Sequence, residues 1–127
     1  MIRNDHALRA VDCGANGVIV SNHGGRQLDG AIASLDALPG VVKALDGRVP
    51  ILFDSGIRRG VDAIKALALG AKAVLLGRPY VWGLAVAGEQ GVREVLQNFI
   101  ADFDNAMAQS GTRTCAQLDP SLLMQTP

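Results

Sequence analysis

Three polar clusters hold the residues most able to do chemistry. The first is Ser21-Asn22-His23-Gly24-Gly25-Arg26-Gln27. A histidine and an arginine three positions apart, around two glycines, can converge on one small ligand. Histidine side chains titrate near neutral pH, which suits proton abstraction. Arginine grips a carboxylate through two parallel N–H bonds. The glycines remove side-chain bulk, so a ligand can approach the backbone. The same spacing also fits a glycine-rich turn with a solvated arginine and a locally bonded histidine. The second cluster is Asp54-Ser55-Gly56-Ile57-Arg58-Arg59-Gly60, just before a helical pattern. Free N–H groups at a helix start favour an anion, Gly56 permits close approach, and Arg58 or Arg59 adds charge. The third is Gly77-Arg78-Pro79, with Pro79 suited to the first turn of a short helix. Two Gly/Arg loops point to a phosphate. The plainer alternative is arginines that cap helices or face solvent.

Each cluster follows a short apolar run: Gly17–Val20, Val49–Phe53 and Ala73–Leu76. None alternates with polar residues, which suits strands buried on both faces of a parallel sheet. Helical patterns lie between them. Asp5–Cys13 has Asp5 as N-cap and Gly14 as stop. Leu35–Leu45 contains Pro39, which predicts a turn and then a helix starting near Pro39. Val61–Leu69 stops at Gly70. About Gly91 to Gln109, Val92, Val95, Leu96, Phe99, Ile100, Phe103 and Met107 form one stripe. A weak repeat relates Ala10–Val20 to Ala66–Leu76, each a helix end, a Gly-Ala turn and a strand. The order is αβαβαβα, an α/β pattern with parallel strands. Such folds bind ligands at the C-terminal ends of their strands, where all three clusters sit. Paired phosphate loops beside a short helix recur in barrels of this kind.

Other residues read as structural. His6 is a surface residue, Cys13 a small core residue, and Tyr80 and Trp82 pack the short helix, with Tyr80 also close enough to the third cluster to bear on it. Asp102 and Asp104 read as a solvated helix face, and Asp119-Pro120 as a turn. No His, Cys and carboxylate set has metal-ligand spacing. The 127 residues allow one domain at most. The apolar fraction, 49%, excludes a disordered chain. Twelve basic and twelve acidic residues, without a basic cluster, argue against a nucleic-acid partner. No apolar run approaches the ~20 residues of a membrane span. Two distant cysteines fit a reduced, cytoplasmic chain.

Taken together, Ser21–Gln27, Asp54–Arg58 and Gly77–Pro79 have the order and spacing of the FMN-dependent α-hydroxy acid dehydrogenase/oxidase family, which the chain resembles from about Ala7 to Leu118. The Ser-Asn-His-Gly-Gly-Arg-Gln string is highly specific. Arg78-Pro-Tyr-Val-Trp-Gly83 looks closest to lactate-oxidising and monooxygenase members. The resemblance implies the C-terminal part of a TIM (β/α)8 barrel, with strands six to eight and a C-terminal helix. It implies His23 as the active-site base and Arg26 as the substrate-carboxylate clamp. Ser21 would contact the flavin. Asp54, Ser55, Gly56, Ile57 and Arg58, with Gly77 and Arg78, would hold the ribityl phosphate of FMN. The implied reaction oxidises a lactate-like L-2-hydroxy acid to the 2-oxo acid, with no metal.

The resemblance also implies an absence. A barrel of this type takes about 250 residues. The first five strands, and the carboxylate that would orient the histidine, are expected outside this chain. The expected partners are a small 2-hydroxy acid, the missing N-terminal half of the barrel, and further copies in a tetramer. Little catalysis is expected from the chain alone. Two alternatives stand beside this reading: a non-catalytic truncated fragment, and a different phosphate-binding flavin barrel such as an FMN isomerase.

Overall fold

The computed structural model describes residues 3–124. Helix α1 (Asn4–Asp12) leads to strand β1 (Val18–Val20), α2 (Ser34–Leu45), β2 (Ile51–Phe53), α3 (Gly60–Ala68), β3 (Ala73–Val74) and α4 (Arg78–Gln109). Short 3₁₀ turns occupy His23–Gly25, Cys115–Gln117 and Pro120–Leu122. The strands form one parallel sheet in the order β1-β2-β3. Val18, Ile19 and Val20 pair with Ile51, Leu52 and Phe53, and Phe53 pairs with Val74. This register aligns the strand ends, so the three following loops emerge side by side.

Alternation along the strands decides which face is covered. Val18, Val20, Ile51 and Phe53 are buried against Ala7 of α1, Leu38, Val41 and Leu45 of α2, and Ala66 of α3. Ile19 between them is 45% exposed. The expectation of strands buried on both faces is corrected: among the described residues, helices cover one face only. A second cluster joins Ile64 and Ala68 of α3 to Met107 of α4 and Leu118.

Two helix boundaries also differ from expectation. Helix α2 starts at Ser34, with Pro39 inside it. The missing N–H of Pro39 leaves one carbonyl unpaired. Full burial of Leu38, Val41 and Leu45 on one face outweighs that loss. Helix α4 runs from Arg78 but breaks at Ala87 (φ −144°) and Gly88 (φ +57°). Its segment 78–86 folds back on 89–109, where the buried Gly83 and Gly91 pack backbone to backbone. The short helix after Gly77 and the long amphipathic helix are therefore consecutive arms of one hairpin. In the long arm, Leu96 and Ile100 lie exposed, off the packed line through Val95, Phe99 and Phe103. The expected turn at Asp119-Pro120 is present, capped by the Asp119 carboxylate on the Ser121 N–H at 2.8 Å. No helix among the described residues is long and apolar enough to cross a membrane.

Candidate active site

The loop after β1 carries His23 on a left-handed turn. His23, Gly24 and Gly25 have φ of +56°, +63° and +74°. Such a run is costly for a residue with a Cβ, so His23 needs external support. Local bonds supply part of it. The Asn22 side chain accepts the Gly24 N–H at 3.0 Å, and the Asn22 N–H donates to Ser34 at the start of α2 at 2.8 Å. The Ser21 hydroxyl accepts the His23 N–H at 3.0 Å. Ser21 also donates to Asp54 in the loop after β2. Ser55 Oγ donates to the same Asp54 oxygen and accepts the Gly24 N–H, both at 3.0 Å.

The loop after β2 divides its residues between the core and the cleft. The Ile57 side chain is buried in the main core, so only its backbone faces a ligand. A Cβ added at Gly56 (φ +87°) would enter open space. The Arg58 guanidinium lies over the Trp82 ring, 5.5 Å from its centroid. One expectation is corrected here. Three N–H groups at the start of α3 are already taken. Asp62 accepts those of Arg58 and Arg59 at 3.1 and 3.0 Å, and Asp102 accepts that of Gly60 at 2.6 Å. An anion on this loop would meet the arginines and the open backbone around Gly56.

The loop after β3 closes the site from the other side. The Arg78 guanidinium donates to the Gly24 carbonyl. A Cβ at Gly24 would displace that guanidinium, and a side chain there would also be held at φ +63°, so glycine suits the position on both counts. Gly77, like Gly25 and Gly56, would point a Cβ into open space.

His23, Arg26, Asp54, Ser55, Gly56, Ile57, Arg58, Gly77 and Arg78 all line one cleft of about 540 Å³. Ser21 lies behind it, bonded to Asp54. His23 and Arg26 sit exposed on the rim. Among the described residues, Arg26, Arg58 and Arg78 make no ion pair, so the cleft carries three guanidinium groups against the one carboxylate of Asp54. The residues fit a phosphorylated ligand: glycines open to the cleft form a cradle that a side chain would fill, flanked by arginines able to fork onto oxyanions.

Several residues have roles other than those expected. Asp102 is exposed, as a solvated helix face requires, and has the added role of a cap for α3. Trp82, 50% exposed, carries Arg58 instead of packing a core, and Tyr80 is 41% exposed. Cys13 is exposed at the end of α1, and Cys115 is exposed as well; neither is in a disulfide. His6, by contrast, is exposed on α1 and away from the cleft, the surface residue expected. Asp62 had a readable signal, an acidic residue three positions after the α3 N-cap. Asp102 had none, because its partner lies in another helix.

Parallel strands, aligned strand-end loops and a cationic glycine-lined cleft define an α/β protein of the class that places its site at the strand ends. Residues 1–125 match the FMN-dependent dehydrogenase family, and the chain belongs to it. It is 55% identical over 123 residues to an L-lactate oxidase of Nostoc sp., covering 97% of this chain and 34% of that protein. It is 50% identical over 127 residues to human 2-hydroxyacid oxidase 1, covering all of this chain and 34% of that protein. A solved mandelate oxidase with benzoyl-formic acid superposes with a TM-score of 0.88 at 47% identity, over 91% of this chain and 35% of that one. The chain thus spans about a third of the length of the curated relatives it matches. Its α/β fold is that of a segment of TIM-barrel flavoenzymes. The family consists of FMN-dependent 2-hydroxy acid oxidoreductases.

Proposed function

We propose that this chain supplies the phosphate end of an FMN site and two substrate-facing side chains of a 2-hydroxy acid oxidoreductase. The observation that carries the reading is the convergence of His23, Arg26, Arg58 and Arg78 on one cleft at the ends of parallel strands. Arg58 and Arg78, with the open backbone at Gly56 and Gly77, hold the phosphate. Ser21 and Ser55 stand beside Asp54, whose negative charge suits ligand hydroxyls and repels a phosphate. When bound, FMN accepts the two electrons of the oxidation. Arg26 grips the carboxylate of a lactate-like L-2-hydroxy acid, and His23 takes a proton as the hydroxy acid becomes a 2-oxo acid.

In this reading β1, β2 and β3 are strands six, seven and eight of a (β/α)8 barrel. The exposed Ile19 and Leu75 support a cover over the open sheet face, supplied by the remainder of the barrel. That cover would also shield His23 and Arg26 from water and orient the imidazole. By itself the chain is expected to turn over little substrate, since orientation and charge stabilisation need that cover. The same reading includes a homotetramer. Two free, exposed cysteines suit a reducing compartment such as the cytoplasm.

The phosphate assignment is tested by equilibrium dialysis of the chain against FMN and riboflavin. FMN should bind, inorganic phosphate should compete with it, and Arg58→Gln with Arg78→Gln should abolish it. Equal binding of riboflavin, which lacks the phosphate, or FMN binding unchanged in the double variant, would overturn the assignment.

A further inference from the structure

We propose that Asp54 is a positioning residue for His23, acting through the hydroxyls of Ser21 and Ser55. An ionised carboxylate only accepts hydrogen bonds, so both serines donate to it. One oxygen, Asp54 Oδ2, receives both. Each hydroxyl then has lone pairs left for a backbone donor. Ser21 takes the N–H of His23 and Ser55 takes the N–H of Gly24, at 3.0 Å each. One carboxylate in the second loop thereby fixes two successive N–H groups of the turn in the first loop. The Asp54 N–H donates to the Val20 carbonyl at 2.9 Å, which ties the carboxylate's own backbone to the end of β1.

Ser55 carries the second observation. It is not glycine, yet its φ is +84°, a region that L-residues enter only at a cost. Glycine would remove that strain and would also remove the hydroxyl that reaches Gly24. His23 is strained in the same sense, with φ +56°. Two non-glycine residues in left-handed backbone, one on each loop, are thus linked through one carboxylate. Strain of this kind persists where the surroundings over-determine it. The device presents the imidazole at the cleft rim from a fixed backbone, where an exposed loop would otherwise fluctuate.

This inference deepens the reading of His23 as a base and rests on it. Its test is independent of activity, so failure of either can be told from failure of the other. Amide hydrogen exchange and the His23 HN–Hα coupling are measured by NMR on the full chain, in wild type and in Asp54→Ala, Asp54→Asn and Ser55→Gly. In Asp54→Ala the His23 amide should exchange about tenfold faster and the Gly24 amide, still accepted by Asn22, no more than roughly threefold faster, and the His23 coupling should leave its left-handed value. Asp54→Asn keeps an acceptor oxygen and should restore most of the protection. Ser55→Gly, relieved of its strain, should fold and loosen Gly24 alone, by roughly threefold, because Asn22 also accepts that N–H. Amides of Ile51–Phe53 should keep their wild-type rates in every variant. Unchanged His23 and Gly24 exchange in Asp54→Ala would overturn the proposal. So would a uniform loss spread over β1 and β2, which would reveal a general stabilising role.

Discussion

The Arg58 guanidinium carbon lies 5.5 Å from the centroid of the Trp82 ring, so the loop after β2 and the start of α4 share one cation–π contact. Trp82 is the chain's single tryptophan. Its emission therefore reports on the surroundings of this one ring, Arg58 among them. Adding inorganic phosphate should change that emission in wild type and leave it unchanged in Arg58→Gln. A contact of this exposure contributes about 0.5–1 kcal/mol. Trp82→Leu should accordingly weaken phosphate binding by roughly two- to fivefold, measured by calorimetry.

Gly24→Ala should damage both loops at once. The new methyl would meet the Arg78 guanidinium, and the residue would be held at φ +63°. We expect a loss of about 1–2 kcal/mol from the left-handed backbone, read from urea unfolding. FMN affinity should fall as well, because Arg78 must leave its place on the Gly24 carbonyl. Gly25→Ala, whose Cβ meets nothing within 4 Å, isolates the backbone effect from the Arg78 effect.

The caps on α3 should each matter to stability. Asp62→Ala unpairs the Arg58 and Arg59 N–H groups, and Asp102→Ala unpairs that of Gly60. Cap losses cost about 0.5–2 kcal/mol. Asp102→Ala should also loosen α4 from α3, where Gly60 packs directly on the Phe103 backbone. Thermal unfolding of both single variants and their double checks this. The two effects should couple, because the capped N–H groups of Arg59 and Gly60 are consecutive, and the double variant should depart from the sum of the singles by at least about 0.5 kcal/mol.

Core and surface should separate sharply. Leu38, fully buried between α2 and the sheet, should lose about 2–5 kcal/mol on change to Ala. Ile100, 58% exposed on α4, should change by no more than about 0.5 kcal/mol. Paired urea titrations of the two variants measure both.

Much of this organisation could be read from the sequence, for identifiable reasons. Unbroken apolar runs marked β1, β2 and β3, and the Gly/Arg clusters directly after them had to meet because parallel strands place their following loops at one sheet end. The exposure of Ile19 was not legible, since a Val-Ile-Val run does not disclose which face a helix covers. Pro39 misled, because a local rule for helix starts yielded to burial of Leu38, Val41 and Leu45 along one helix face. The role of Asp102 depends on α4 lying across the start of α3, a tertiary relation with no local signature. Trp82 carries only the general signal of an aromatic residue, which is to pack, and nothing along the chain announces its contact with Arg58.

In the proposed function His23 acts as the base in oxidation of a 2-hydroxy acid. The most direct test places the chain, by exchange of the homologous third, into the Nostoc L-lactate oxidase to which it is 55% identical. Anaerobic bleaching of the flavin by L-lactate is then followed in the chimera and in its His23→Ala form, with FMN content measured in both. Both should bind FMN, and the His23→Ala chimera should bleach slower by roughly 10²–10⁴-fold. Equal bleaching rates in two fully FMN-loaded chimeras would contradict it.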